Sequence, residues 1–234
     1  MVITVGPAAL RAAKSATVPV PIVAIDMESD PAAAGFVIRL ARPGGNITGV
    51  FLDQAELSGK WPELLKEINP RLSRVAVFWD SSTPPYQLDA IKAGGKSMAM
   101  ELQTLRVGGP QDFEGAFAAA AKSHAQAIML LSSPFISISG SRVANLAAVR
   151  RLATISMFRE NVTAGCLMAY GPNLADGWRL VGSFAGRILK GTKPADLPVE
   201  RPTRFGLVIN LKTAKALGRT IPQSLLQRAD EIIQ

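Results

Sequence analysis

Cysteine and histidine are nearly missing from this chain: Cys166 and His124 are the sole examples among 234 residues. One cysteine makes no internal disulfide. Zinc and iron–sulfur centres, which need clustered Cys and His ligands, are excluded, so no metal site is expected. Aromatic residues make up 6% and charged residues 19%, against 48% hydrophobic. That balance is too apolar for disorder and ordinary for a globular protein, and a chain of this length buries a real core. No run of 18 apolar residues occurs, so no segment reads as a membrane-spanning helix. Met1–Leu10 lacks the basic and apolar regions of a signal peptide. Internal repeats and low-complexity linkers are absent.

Enzymatic constellations are equally scarce. Gly94-Gly95-Lys96-Ser97 resembles the end of a phosphate-binding loop, but Ala90 stands where the earlier glycine is required and no strand precedes it. There is no Gly-x-Gly-x-x-Gly after a strand and no Gly-x-Ser-x-Gly elbow. His124 falls between a helix and a strand and reads as a surface turn. Cys166 opens an apolar strand and reads as a small buried hydrophobe. Asn46-Ile47-Thr48 and Asn161-Val162-Thr163 match glycosylation sequons, a pattern short enough to arise by chance. No catalytic residue and no cofactor is expected.

The net charge of +8 is unevenly placed. Residues 1–117 carry 11 basic and 12 acidic side chains, residues 118–234 carry 15 and 6. A basic half is compatible with nucleic acid, anionic lipid or an acidic protein. The cations are scattered, with Arg150-Arg151 the one adjacent pair, and no aromatic stripe accompanies them. This reads as a solvated surface, and nucleic acid is not an expected partner.

What the chain does have is alternation. Short apolar runs at 2–5, 20–25, 48–52, 74–79, 102–107, 127–131, 154–158, 167–170 and 206–211 read as strands. Several are continuous Val/Ile/Leu/Met stretches, as in strands buried on both faces of a parallel sheet. Helix signals lie between them. Asp30-Pro31 is a cap followed by proline, leading into Ala33, Phe36, Val37 and Leu40. Asp53 and Glu56 form a capping-box variant ahead of Leu57, Trp61, Leu64, Leu65 and Ile68. Pro62 either kinks that helix or moves its start to about Lys60. Asp112 and Asn173 cap further helices, the second using Val181, Phe184, Ile188 and Leu189. Pro222 opens the last, with Leu225, Leu226, Ala229 and Ile232 facing inward. Gly94 and Gly95 are expected to weaken the helix that carries them. Lys190–Pro202 reads as a long ordered connection. The strand–helix order argues for right-handed βαβ units and an α/β architecture.

Polar and aromatic residues recur just after the predicted strands. Asp26, Glu28, Ser29 and Asp30 follow one, and Asp80, Ser81 and Ser82 another. Ser132, Ser133 and Phe135 come next, then Phe158 with Arg159 and Glu160, then Tyr170 with Asn173. Ligands of parallel α/β sheets bind outside these carboxyl ends, and following helices aim N–H groups there, which suits a carboxylate. Taken singly, each residue also reads as a loop or capping residue; the repetition is the signal.

Four stretches resemble one family: ARPGGNITGV (41–50), AYGPNLADGWR (169–179), ILKGTKPADLPVERPTRFGLVINLKTAKALG (188–218) and IPQSLLQRADEII (221–233). It is the ABC-transporter substrate-binding proteins that include tryptophan and aromatic amino-acid binders, and the resemblance runs from about residue 1 to the C-terminus. It implies a type I periplasmic-binding fold of two α/β lobes with parallel sheets and an interlobe cleft that closes over a small organic solute. It further implies membrane permease subunits as partners, a periplasmic location, and no covalent chemistry. On this reading residues 1–52 are the remaining part of lobe 1, 53–170 are lobe 2, and 171–234 return towards lobe 1. Gly6-Pro7 resembles the family's Gly-Thr-Pro-Ala helix start without its threonine, and Ser29-Asp30-Pro31 its cleft-facing helix start. The implied ligand-binding set is Gly6, Pro7, Ser29, Asp30, Asp80, Ser81, Ser132, Ser133, Phe135, Phe158, Glu160, Tyr170 and Asn173. Family members carry a signal peptide and further strand–helix units ahead of the point matching Met1. The resemblance therefore implies an incomplete first lobe with an edge open to dimerisation. The alternative functions are a sensory or regulatory module of the same fold, or a truncated fragment that does not bind.

Overall fold

The computed structural model of the chain describes residues 1–16, 20–27 and 30–234. In chain order these form β1 (Val2–Val5), α1 (Gly6–Ser15), β2 (Ile22–Met27), β3 (Ile47–Phe51), α2 (Gln54–Ser58), α3 (Trp61–Ile68), β4 (Arg74–Trp79), α4 (Tyr86–Ser97) and β5 (Glu101–Arg106). Then come α5 (Phe113–Lys122), β6 (Ala127–Leu130), α6 (Pro134–Ile138), α7 (Gly140–Val149), β7 (Ala153–Ser156), α8 (Arg159–Thr163) and β8 (Met168–Pro172). The chain closes with α9 (Leu174–Leu189), β9 (Phe205–Asn210), α10 (Leu211–Ala216), α11 (Gln223–Arg228) and β10 (Glu231–Ile233). Every strand pair with an assigned register is parallel.

The chain divides into two compact units, Met1–Asp53 with Pro172–Arg204, and Gln54–Gly171 with Phe205–Gln234. Residues 205–234, read from sequence as returning towards the first lobe, sit in the second unit.

The first unit holds the sheet β1-β2-β3. Leu10, Ile22, Met27, Phe36, Phe51 and Val199 meet in its core. The connection after α9 runs along β3: Glu200 N–H donates to Gly49 O at 2.9 Å, and Phe51 N–H donates to Glu200 O at 3.1 Å. The Thr48 hydroxyl, inside β3, donates to Leu197 O at 2.8 Å. Gly49 sits at φ +147°, and a Cβ there would overlap the Ala24 carbonyl oxygen on β2. The helix expected from Asp30 is a single turn. Asp30 Oδ1 accepts from Ala32 and Ala33 N–H at 3.0 and 2.9 Å. Phe36 N–H to Pro31 O and Gly35 N–H to Ala32 O then close it as a Schellman motif. Both ends are capped within six residues, so the apolar stripe never becomes a helix.

The second unit holds seven strands in the order β10-β9-β8-β7-β6-β4-β5. Phe78, Phe113, Phe117, Ile128, Leu130 and Val143 form a core on one face, with the Phe78 and Phe117 rings edge to face at 5.0 Å. The helix break near Pro62 falls between α2 and α3, with proline in the first turn of α3, where its missing N–H costs nothing. α4 runs through Gly94 and Gly95 because it packs on that corner: a Cβ at Gly94 would lie 2.6 Å from Gly59 O. Two expectations fail at helix ends. Leu189 is 76% exposed. The last helix stops at Arg228, and Asp230 Oδ2 accepts from Leu207 N–H at 2.8 Å, turning the chain into β10 beside β9. Arg159 clamps β10 from outside, Nε and Nη2 donating to the two Glu231 oxygens at 2.5 and 2.6 Å.

Two outcomes follow from these contacts. Gly49→Ala forces a Cβ into the β2 backbone and is expected to destabilise by about 2–4 kcal/mol, read by urea unfolding; a change within error would sink this account of the glycine. The bond from Arg159, with its charge, holds the Glu231 carboxyl below the usual carboxylate range. A depressed folded value means that stability is present above the unfolded value and lost as pH falls through the folded one. The pair is surface-exposed, so Glu231→Gln should cost only about 0.2–1 kcal/mol at neutral pH. That gap should begin to shrink as pH falls through the usual carboxylate range and vanish only below Glu231's depressed folded value, in melts run across the acid range.

Candidate ligand-binding site

In the second unit the chain leaves β4 for β5 on one side and later returns to β6 on the other. The crevice between the carboxyl ends of β4 and β6 is therefore a topological switch point, the place where open α/β sheets take ligands. Asp80 follows β4 and Ser132-Ser133 follow β6, so two of the sequence-predicted groups meet here. The Ser133 hydroxyl donates to Asp80 Oδ2 at 2.7 Å, both side chains being buried. Asp80 Oδ1 accepts from Ser82 N–H and Oγ at 2.8 and 2.6 Å, and the Asp80 carbonyl accepts from the Thr83 hydroxyl at 2.7 Å. The loop after β4 is thus wound around one carboxylate and tied to the loop after β6.

Two residues that sequence reading missed extend this network. Gln87, in the first turn of α4, accepts from Ser132 N–H at 3.1 Å through Oε1. Its amide donates to Gln54 Oε1 at the start of α2. Both glutamines are buried. The available signal was positional: Gln87 lies four residues before buried Ile91 and beside Leu88, a polar residue on an apolar stripe. Among the described residues, Gln54 Nε2, Ser132 Oγ and Trp79 Nε1 are buried without a hydrogen-bond partner.

The other predicted residues of this unit have varied roles. Ser81 is exposed, and so is Glu160. Phe135 packs partly buried on the core, 6.0 Å from the Phe113 ring. Phe158 is buried at the start of α8, its carbonyl accepting from Asn161 N–H at 3.1 Å. Tyr170, expected just past a strand, lies in the middle of β8, which runs on to Pro172, and is held from two sides. Trp61 Nε1 donates to its carbonyl at 3.1 Å, and Lys60 Nζ lies 5.9 Å from its ring centre.

In the first unit Gly6 and Pro7 open α1 at the carboxyl end of β1, both partly buried, with proline in the first turn. Asp30 and Asn173 are exposed, and one side-chain oxygen of each is engaged in capping; Asn173 Oδ1 accepts from Ala175 N–H at 2.9 Å. Ser29 lies outside the described residues, as does Glu28.

Burial pushes the Cys166 thiol up to about 11, against a smaller lowering by its hydrogen bond with Thr154, so it is no nucleophile. His124 is an exposed turn residue with φ +56°. Among the described residues no group of three His, Cys, Asp or Glu could hold a metal ion. No helix among them is long and apolar enough to cross a membrane.

The family model for ABC transporter substrate binding proteins matches residues 1–233. The chain belongs to that family. Its members are solute-binding proteins, not enzymes. A tyrosine-binding protein of Clostridioides difficile (strain R20291) is 25% identical over 209 residues, covering 88% of this chain and 59% of the relative. The chain thus spans 59% of the length of that curated relative. An ABC domain from Streptococcus pneumonia, solved in complex with L-Trp, is 26% identical with a TM-score of 0.86, covering 100% of this chain and 78% of its own. A conserved domain protein from Vibrio cholerae, 24% identical with a TM-score of 0.85, covers 99% and 78% and shows the same fold. The parallel sheets flanked by helices are those of type I periplasmic binding proteins.

The Ser133–Asp80 bond is expected to hold the two loops together. Ser133→Ala leaves a buried carboxylate oxygen short of a donor and should cost about 1–3 kcal/mol. Thermal unfolding of the two proteins side by side tests this; equal melting temperatures would make the bond incidental.

Proposed function

We propose that this chain is the substrate-binding component of a bacterial ABC importer, working in the periplasm, and that its cargo is an amino-acid-like solute with an aromatic side chain. The carboxyl edge of each unit's sheet is the ligand-facing side, and a membrane permease is the partner that receives the cargo. Family membership supports the general role. Similarity to a tyrosine-binding protein and to a domain solved with L-Trp supports the cargo class. The observation that carries the reading within this chain is the buried polar network Asp80–Ser133 and Ser132–Gln87–Gln54 at the switch point. A purely structural sheet edge has no need of five polar side chains there.

A ligand that binds the folded state alone raises its stability by about 2.7 kcal/mol at a hundredfold excess over Kd. For a chain of this size that is a melting shift of several degrees. L-tryptophan and L-tyrosine are expected to give such a shift in differential scanning fluorimetry, with D-glucose as the control giving none. A shift with glucose alone, or with none of the three, would overturn the aromatic amino-acid cargo.

A further inference from the structure

Asp80 is 4% exposed, and its carboxylate has no ion pair among the described residues. Its donors are the Ser82 N–H, the Ser82 hydroxyl and the Ser133 hydroxyl, all neutral. A buried charge without a counter-ion is costly, and proteins seldom keep one without a use. An ionised carboxylate accepts at about four positions, so the three donors leave room on Oδ2.

A turn alone does not explain the charge. The Asx geometry that Asp80 makes with Ser82 uses Oδ1 only, and an asparagine supplies the same oxygen. The network around it is also short of partners. Ser132, next to Ser133, keeps a buried unpartnered hydroxyl. Gln54, 8% exposed and bonded through Gln87 to Ser132 N–H, keeps a buried unpartnered Nε2. Buried polar groups in native proteins are normally satisfied, so the two open ones, in a hydrogen-bonded chain that adjoins the Asp80–Ser133 bond through the Ser132–Ser133 peptide link, mark a cluster that something else completes.

We infer that Asp80 is the counter-ion for a positively charged nitrogen on the cargo, which makes this unit selective for solutes bearing a primary ammonium group. The inference rests on the solute-binding role proposed above and narrows it: the ammonium donates to Asp80 Oδ2, and Ser82 and Ser133 hold the carboxylate in place to receive it. A charge-assisted bond of this kind, formed away from water, is among the stronger polar contacts available to a ligand.

The test uses three probes on the whole chain by isothermal titration calorimetry: L-tryptophan, tryptamine, which keeps the ammonium, and indole-3-propionate, which lacks it. Indole-3-propionate should bind the unaltered protein at least about tenfold more weakly than L-tryptophan. Asp80→Asn keeps the turn and removes the charge. It should weaken L-tryptophan and tryptamine at least about tenfold while leaving indole-3-propionate unchanged. If Asp80→Asn weakens all three alike, or none, the inference is overturned and Asp80 is a structural residue. Should that variant fail to fold, the comparison of probes on the unaltered protein decides alone, equal affinity for L-tryptophan and indole-3-propionate being the overturning result. Binding of L-tryptophan with no effect of the ammonium defeats the inference and leaves the proposed function standing. Binding of none of the probes defeats both.

Discussion

A parallel strand between two helical layers has to be apolar on both faces, and that constraint governs where this protein can keep anything polar. Ala127–Leu130 and Ala153–Ser156 are buried along their whole length. Their backbone groups are used in the ladder and their side chains in the core. Most polar groups are displaced to the strand ends, and exceptions such as Thr48 and Thr154 use their hydroxyls on backbone atoms of neighbouring segments. At the carboxyl ends the crossover loops and helix starts supply N–H and hydroxyl donors in one place, and the switch between β4 and β6 opens the edge there. The Asp80–Ser133 bond exists because the topology brings the loops after those two strands side by side.

The stretches that carry the family resemblance are mostly about building this frame. In ARPGGNITGV, Asn46 Nδ2 donates to Val20 O at 2.8 Å, Thr48 reaches Leu197 O, and Gly49 admits the β2 backbone. In the long C-terminal stretch, Asn210 caps α10 through Thr213 N–H at 3.0 Å and holds Val162 O at 3.1 Å, while Thr213 Oγ1 donates to Gly165 O at 2.9 Å. These side chains fasten one element to another through backbone atoms. The stretches identify the family through its fold, and the network at the switch point lies outside them.

Legibility from sequence followed the strength of local signals. Nine of the ten strands were readable because continuous apolar runs bounded by turn residues have few other uses in a βαβ chain. β10 was not, because Glu231–Ile233 is three residues long and shares its spacing with the helix before it. The stretch after Asp30 carried a genuine cap and an apolar stripe; Gly35, at φ +72°, ended it after one turn through a local Schellman closure that the apolar stripe masked. Of the candidate site, Asp80, Ser132 and Ser133 were legible by position after strands, whereas Gln54 and Gln87 were hidden among helix residues.

The sequence by itself determined the α/β class, the parallel strands and the family, since each depends on composition, periodicity or contiguous residues. Which polar residues act together was decided only by the tertiary structure. Asp30, Asn173 and Asp80 look alike in the chain, each an oxygen-bearing side chain just past a strand. Folding leaves the first two exposed, with one oxygen of each engaged in capping N–H groups of its own segment, and buries the third with no counter-ion among the described residues, bonded to a serine 53 residues away. Desolvation makes that difference, and desolvation is a property of packing.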